Sequence, residues 1–177
     1  AAVVAGAEIV NDVGGLRDPA MVSAVAELGC GVVVMHMRGD PQTMQDDTSY
    51  DDVVAEVAEY LSAQVEVAIA GGVAADQVCI DPGIGFGKSP TQNLAILDRV
   101  GEFISLGYPV LVGASRKGFI GGLLRAAGRE TVAAERDPAT GATVATSIVA
   151  GASVIRVHDV PAALQVARTA DAIVRGR

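Results

Sequence analysis

The sequence predicts an α/β domain built around a parallel β-sheet, and three observations lead to this prediction. Short apolar runs alternate with longer amphipathic stretches along the whole chain, as expected for repeated strand–helix units. No two neighbouring runs are separated by a short hairpin turn signal. Half of the 177 residues are hydrophobic, which is enough for one core without disulfide bonds. Local pattern leaves two architectures open, a doubly wound open sheet and a closed barrel.

Five apolar runs are predicted strands. They lie at residues 8–13, 31–37, 77–80, 109–113 and 153–157. The fourth run is continuously apolar and stops at Gly113, which is typical of a strand covered on both faces. Since parallel strands need crossover connections, we expect a helix between each pair, with right-handed crossovers.

Six helices are predicted, at residues 19–28, 50–70, 89–104, 116–127, 137–150 and 161–174. The second has the clearest amphipathic spacing. Ser89 is expected to cap the third helix, with Pro90 at its first position. Residues 38–49 are predicted to form a surface loop, and residues 128–136 a solvated linker.

Composition excludes some partners and locations. A net charge of −8 argues against nucleic acid or an anionic membrane as the partner. No apolar run approaches ~18 residues, so no membrane span is predicted. Cys30 and Cys79 are expected to be free thiols of a cytoplasmic protein. The chain begins without Met in what resembles the end of a helix, so we expect the natural N-terminus to lie upstream.

Polar residues follow each predicted strand, where ligands bind in parallel α/β folds. They are Asn11-Asp12, His36, Asp81, Ser115-Arg116-Lys117 and Arg156-Val157-His158. Both histidines and, with Lys88, both lysines of the chain belong to this set. In an acidic protein, two lysines with Arg116 and Arg156 at one edge predict an anion site. The alternatives are scattered surface charges and, for each histidine, an ordinary packed side chain.

Two motifs indicate what the site binds. Arg156 and His158 are two residues apart on a strand and face the same side, which suits phosphate or diphosphate; a salt bridge from Arg156 to Asp159 is the alternative. The Gly-rich segment 81–88 lacks the spacing of a nucleotide P-loop. Asp81 can accept hydrogen bonds from a ring N–H, and Phe86 can present its face to a planar ligand or simply anchor the loop.

Five segments together resemble the dihydropteroate synthase family. They are Asn11-Asp12-Val13, Met35-His36-Met37-Arg38-Gly39, residues 81–88, residues 113–117 and Arg156-Val157-His158-Asp159, all in the family's order. The resemblance implies an eight-stranded (β/α) barrel of which this chain supplies strands four to eight, with the first three βα units missing. Residues 1–177 are then a single, incomplete pterin-binding barrel domain.

The resemblance also implies a reaction. Members condense 6-hydroxymethyl-7,8-dihydropterin diphosphate with p-aminobenzoate and release 7,8-dihydropteroate and diphosphate, in folate biosynthesis. Expected pterin contacts are Asn11, Met35, Asp81, Gly85 and Lys117. Expected diphosphate contacts are Arg156 and His158, and expected p-aminobenzoate contacts are Phe86, Lys117 and Gly118. The expected catalytic residues are Lys117, Asp81, Arg156 and His158.

Several expectations concern what lies outside the chain. Mg²⁺ is expected to bind with the diphosphate through a residue of the missing part, with no metal ligand in this chain. Two flexible catalytic loops and a second pterin-binding Asp are also expected there, so the chain alone is predicted to be inactive. The full-length protein is expected to be a homodimer that pairs through the helix at 137–150. Gly118 departs from members that carry Ser after the lysine.

Two other functions remain open at this stage. A methyltetrahydrofolate–corrinoid methyltransferase would share the pterin-facing Asn and Asp but needs no diphosphate-binding cations. A non-catalytic synthase paralogue would only bind a ligand or partner.

Overall fold

The strands form one parallel arc in chain order. The computed structural model describes residues 1–176. The strands are β1 (Ile9–Asp12), β2 (Gly31–Met35), β3 (Val78–Asp81), β4 (Leu111–Val112) and β5 (Val154–Ile155). β1, β2 and β3 pair in parallel, as do β4 and β5, and a parallel bridge between Ile80 and Val110 joins the two groups. The predicted α/β fold with a parallel sheet is confirmed.

Helices connect and follow the strands. They are α1 (Pro19–Leu28), α2 (Val53–Ala70), α3 (Pro90–Asp98), α4 (Val100–Ile104), α5 (Gly118–Ala126), α6 (Asp137–Val149) and α7 (Val160–Arg175). Residues 38–49 are mostly exposed turns and bends, as predicted. Cys30 is buried and Cys79 half-buried, and both are free thiols. Within residues 1–176, no helix combines the length and the apolar composition needed to cross a membrane.

The predicted third helix is in fact two helices that meet at Arg99. The Arg99 guanidinium donates to Asp52 at 2.9 Å and to Glu102 at 2.6 Å, which holds the chain in a bend. The bend turns Phe103 into the core, where it is fully buried. An apolar periodicity cannot reveal such a bend, because both halves present apolar residues to the same core.

Side-chain caps fix where several helices begin. Asp52 accepts from backbone N–H groups in the first turn of α2, and Asp159 does the same for α7. Ser89 caps α3 and forms a reciprocal pair of hydrogen bonds with Gln92, with Pro90 at the first position. The predicted cap at Ser89 is confirmed. Such caps satisfy N–H groups that a helix leaves without partners.

The strands separate an apolar outer face from a polar inner face. The outer face, which packs under the helices, is lined by Val32, Val34, Val78, Ile80, Val110 and Val112, each at most 2% exposed. Burying a side chain of this size contributes about 1.5–3 kcal/mol. Alternate positions point to the inner face and include Asn11, Met35, Asp81, Gly113 and Arg156. Core packing on one side therefore determines which residues meet on the other.

The segment at 128–136 is only partly a solvated linker. Ala133–Arg136 form a 3₁₀ turn, and the guanidinium of Arg136 donates to the carbonyls of Arg116 and Thr131, each at 3.1 Å. The prediction of a simple linker is wrong for this part. The reason is that the Arg136 guanidinium finds half-buried backbone acceptors, which the charged residues around it in the sequence did not indicate.

Neighbouring glycines of α5 test this contact. A Cβ at Gly121 would lie 2.7 Å from the Arg136 guanidinium, whereas one at Gly122 meets nothing within 4 Å. Gly122→Ala is expected to stabilise the full-length protein by about 0.5–1 kcal/mol through helix propensity. Gly121→Ala is expected to be at least about 1 kcal/mol less stable than Gly122→Ala, because Arg136 loses its acceptors. Urea unfolding measures both; equal stabilities would contradict the packing role of Arg136.

Candidate active site at the carboxyl ends of the strands

A cavity of about 420 Å³ opens on the inner face, at the carboxyl ends of the strands. Its lining includes six of the residues singled out from the sequence: Asn11, Met35, Phe86, Lys117, Arg156 and His158. They come from all parts of the chain and meet because the inner-face positions of parallel strands end at one edge. The structure therefore brings these six residues together, as the sequence predicted.

Arg156 joins three strands across the bottom of this cavity. One terminal nitrogen of its guanidinium donates to Oδ2 of Asp81 at 3.0 Å, and the other donates to the side-chain oxygen of Asn11. A Cβ at Gly113 would lie 2.6 Å from the same guanidinium, so the glycine leaves room for it to cross β4. Asp159 instead caps α7. The alternative of an Arg156–Asp159 salt bridge is therefore wrong.

Asp81 is a buried carboxylate with a full set of partners. Its side chain is 1% exposed, and Oδ1 accepts from the backbone N–H of Gly83 at 2.8 Å. Burial raises the pKa of Asp81, while Arg156, the Gly83 amide and Lys117 act in the opposite direction. The structure thus places a buried carboxylate beside two cations that line the cavity, Arg156 and Lys117.

Lys117 and Phe86 form a second pair of cavity residues. The Lys117 ammonium lies 4.0 Å from the centroid of the Phe86 ring, within the range of a cation–π contact. Burial lowers the pKa of Lys117, Asp81 opposes that shift, and Arg156 adds to it. A Cβ at Gly85 would lie 2.8 Å from the Lys117 side chain. Gly85 therefore allows the lysine stem to cross the loop and reach the cavity.

His158 is held by Ser115. The buried Ser115 hydroxyl lies 2.9 Å from Nδ1 of His158 and accepts from the His158 backbone N–H at 3.2 Å. A hydroxyl that accepts from this amide can donate to Nδ1, which leaves the hydrogen of a neutral imidazole on Nε2. The imidazole is itself exposed. Sequence analysis placed Ser115 at the strand end but did not identify this role.

Two of the predicted cations lie away from the cavity. Lys88 is 3% exposed, and its ammonium lies behind the Gly-rich loop, 2.9 Å from Nδ1 of His36. Arg116 points outward and makes two hydrogen bonds, of 2.8 and 2.7 Å, with the Asp137 carboxylate at the start of α6. The prediction of four cations at one edge is therefore wrong for Lys88 and Arg116. Position in sequence located the segment but not the direction of each side chain.

A family comparison agrees with this architecture. The family model described as pterin binding enzyme matches residues 1–158. The chain belongs to the pterin binding enzyme family. The open choice between a doubly wound sheet and a barrel is thereby resolved, since the similar solved structures are dihydropteroate synthases, enzymes of the TIM-barrel fold.

Individual relatives are similar over nearly the whole chain. The dihydropteroate synthase of Synechocystis is 43% identical over 175 residues, which is 98% of this chain and 59% of the relative. A Thermus thermophilus dihydropteroate synthase in complex with 6HMPPP gives a TM-score of 0.90 at 43% identity, covering 97% of this chain and 66% of that one. The same enzyme in complex with 4-aminobenzoate gives a TM-score of 0.89 at 44% identity, covering 97% of this chain and 65% of that one. The chain thus spans less than two thirds of the length of these relatives.

Asn93 is a site-supporting residue that sequence analysis missed. It is 2% exposed, its side-chain oxygen accepts from the Gly85 N–H at 2.6 Å, and its amide donates to the Ser89 carbonyl at 2.8 Å. An Asn in the first turn of a helix is a weak helix former, and that mismatch was the available signal. Within residues 1–176, no three His, Cys, Asp or Glu side chains are grouped so that they could hold a metal ion.

Gly83 provides a test of the loop geometry. Its φ is +67°, and a Cβ there would lie 1.8 Å from the backbone carbonyl oxygen of His36. Gly83→Ala is expected to lower the free energy of unfolding of the full-length protein by at least about 2 kcal/mol, through left-handed strain and displacement of a strand end. Gly118→Ala is the control, since a Cβ at Gly118 meets nothing within 4 Å. Denaturant unfolding that gave equal stabilities for the two variants would contradict this geometry.

Proposed function

We propose that this chain is the substrate-binding part of a dihydropteroate synthase. The full-length protein would be a transferase that condenses 6-hydroxymethyl-7,8-dihydropterin diphosphate with p-aminobenzoate, giving 7,8-dihydropteroate and diphosphate in folate biosynthesis. The single observation that carries this proposal is the Arg156 guanidinium, which lies between Asn11 and Asp81 in a cavity shared with Lys117 and Phe86. The Thermus structures described with 6HMPPP and with 4-aminobenzoate add support.

The pterin ring would lie over the inner ends of the first three strands. Asp81 supplies carboxylate acceptors for ring N–H and amino groups, and Asn11 supplies an amide that both donates and accepts. Met35 lines the same cavity with an apolar surface. Gly85 leaves the backbone accessible, and the Lys117 ammonium can donate to a ring oxygen or nitrogen.

The diphosphate would lie toward His158 and Arg156. Loss of the diphosphate builds negative charge on its oxygens, and cations fixed in place stabilise that charge without reorganisation. The same departure leaves positive charge on the pterin, which the Asp81 carboxylate can stabilise. The p-aminobenzoate amine then attacks the pterin methylene carbon, and holding both substrates in line lowers the entropic part of the barrier. No covalent enzyme intermediate is needed.

The p-aminobenzoate would bind beside Phe86 and the start of α5. Phe86 offers a ring face, and Lys117 offers a cation for the carboxylate. Gly118 offers only a backbone N–H, because it has no side chain in the position where some members of the family carry Ser. The arrangement makes Lys117 common to both substrate positions, since its ammonium lies over Phe86 while Asp81 influences its pKa.

The remaining part of the barrel would pair with the two edge strands. We propose that β1 to β5 are the fourth to eighth strands of an eight-stranded barrel whose first three βα units belong to the full-length protein. In support, apolar inner-face residues are exposed at both edges of the arc, Ile9 at 64% and Val154 at 43%. Unpaired apolar edges favour association with further strands.

Mg²⁺ would enter the site bound to the diphosphate substrate. The described cavity residues do not fit a magnesium site, because Asp81 is already bonded to Arg156 and Gly83, and the Asn11 oxygen accepts from Arg156. The proposal therefore places any protein ligand of Mg²⁺ outside this chain and assigns it no step here. We further propose a cytoplasmic location, in keeping with two free thiols and a net charge of −8.

An assay of the full-length protein tests the function. Dihydropteroate formation together with tight binding of dihydropterin diphosphate is expected. Binding without turnover would indicate the non-catalytic paralogue, and methyl transfer to a corrinoid would indicate the methyltransferase. Arg156 and His158 in one cavity favour the synthase, because methyl transfer needs no diphosphate-binding cations. Residues 1–177 alone are expected to give no turnover, since the open arc lacks the residues of the first three units.

Two substitutions in the full-length protein should differ in which substrate they affect. Lys117→Ala is expected to raise the KM of both substrates and to lower kcat/KM about tenfold to a hundredfold, as for a lost charged hydrogen bond. Arg156→Ala should raise the KM of the dihydropterin diphosphate by a similar factor while leaving that of p-aminobenzoate within about twofold. Arg125→Ala, an exposed cation paired with Glu130, is the control. The opposite selectivity for Arg156→Ala would contradict its assignment.

We also propose that the full-length protein forms a homodimer through α6. An apolar cavity of about 420 Å³ lies between α3, α5 and α6, beside exposed Leu94 and Leu123. Small residues of α6 such as Ala142 and Thr146 line it and would permit close helix packing. Light scattering is expected to give the dimer mass, and Leu123→Glu is expected to shift it to the monomer. A monomeric wild-type protein at assay concentrations would contradict the proposal.

A further inference from the structure

The Gly-rich loop at 83–87 closes around one buried ammonium group. Lys88 Nζ donates to the carbonyl oxygens of Gly83 and Phe86, both at 3.0 Å, and to Nδ1 of His36 at 2.9 Å. An ammonium has three donors, so all of them are used. Its residue is 3% exposed, and burial lowers the pKa of Lys88 to about 7, while the charge of Asp81 acts in the opposite direction. The three hydrogen-bond acceptors of the group are neutral, and burying an ammonium among neutral acceptors is unfavourable unless its geometry is needed.

His36 is suited to be one of these acceptors. Burial lowers the pKa of its imidazole to about 3, and Lys88 and Arg38 add to the shift, so the ring is neutral. The imidazole and the Tyr60 ring form a T-shaped pair, with centroids 4.9 Å apart and planes at 89°. This contact restrains the ring whose Nδ1 lies 2.9 Å from the lysine. Because the backbone N–H of His36 also donates to the Asp81 carbonyl at 3.0 Å, this acceptor is fixed to the sheet.

The two carbonyls bound by Lys88 are the two ends of the turn that carries Phe86. The Phe86 N–H donates to the Gly83 carbonyl at 3.1 Å, which closes the turn, and Lys88 binds both carbonyls. The Phe86 ring that this turn carries lies 4.0 Å from the Lys117 ammonium. The backbone on which the ring is mounted is therefore held by Lys88.

Asp81 does not depend on the loop in the same way. It lies on β3 in register with Met35 and is bonded to Arg156 from across the cavity, and only its bond from the Gly83 N–H comes from the loop. Loss of Lys88 would thus move Phe86 more than the carboxylate, which keeps its strand and its bond to Arg156. The two sides of the cavity are held by different means, one by the sheet and the other by a buried lysine.

We propose that Lys88, together with His36, is a positioning residue that sets the p-aminobenzoate side of the cavity by fixing the 83–87 backbone under Phe86. The assignment of that side to p-aminobenzoate rests on the function proposed above. The claim about the loop itself rests only on the contacts of Lys88.

The test uses the full-length protein with Lys88→Met, which keeps an unbranched side chain as far as the ε position and removes all three donors. The KM of p-aminobenzoate is expected to rise about tenfold, while the dissociation constant of dihydropterin diphosphate changes less than about threefold. Amide hydrogen exchange in residues 83–87 is expected to accelerate, with the strands unaffected. Tyr50→Phe is the matched control, because it removes a single donor, to the Gly87 carbonyl, from the same loop; neither constant should change by more than about twofold.

The outcomes distinguish the role of Lys88 in the loop from the proposed synthase function. Unchanged exchange in 83–87 would overturn the positioning role, and so would equal changes in the binding of both substrates. If the wild-type protein forms no dihydropteroate, the proposed function fails, yet faster exchange confined to the loop would still support Lys88 as its anchor. If Lys88→Met does not fold, His36→Asn and His36→Leu replace it. His36→Asn keeps an acceptor and should retain the wild-type KM, whereas His36→Leu should raise it; equal values would overturn the role of the pair.

Discussion

The cavity depends on one guanidinium that bonds to two strands and crosses a third. Arg156 on the last strand bonds to Asp81 on the third and Asn11 on the first, across the open side of the arc. Without Arg156, the Asp81 carboxylate, which is 1% exposed, would lack the cation that it is bonded to. Gly113 is required by the same interaction, because a side chain there would occupy the path of the guanidinium. The inner face is thus organised by a charge pair, while the outer face is organised by apolar packing.

These two faces explain what could be predicted from the sequence. The strands, most helices and the Ser89 cap could be predicted from the periodicity of apolar residues and from helix-capping preferences. Both are properties of short stretches of sequence. The site could be predicted because inner-face residues of parallel strands end at one edge, so Asn11, Asp81 and Arg156 had to be neighbours. The family resemblance added the identity of the ligands, which the residues alone indicated only as an anion and a planar ring.

What sequence could not give was the direction of individual long side chains. Lys88 and Arg116 follow the ends of β3 and β4, by seven and four residues, and were expected in the cavity. In the structure Lys88 turns under the loop to backbone carbonyls and Arg116 turns outward to Asp137. Arg116 pairs with a residue 21 positions further along the chain, and Lys88 binds backbone carbonyls whose positions depend on the folded loop. The bend at Arg99 has the same cause, since its partner Asp52 lies 47 positions earlier.

A double-mutant cycle in the full-length protein tests the Arg156–Asp81 interaction most directly. Asp81→Asn, Arg156→Met and the double variant would be compared by their free energies of unfolding in urea. The account predicts a coupling of at least about 1 kcal/mol, below that of a fully buried pair because the Arg156 side chain is 40% exposed. A coupling indistinguishable from zero would contradict the claim that this charge pair holds the strand ends together.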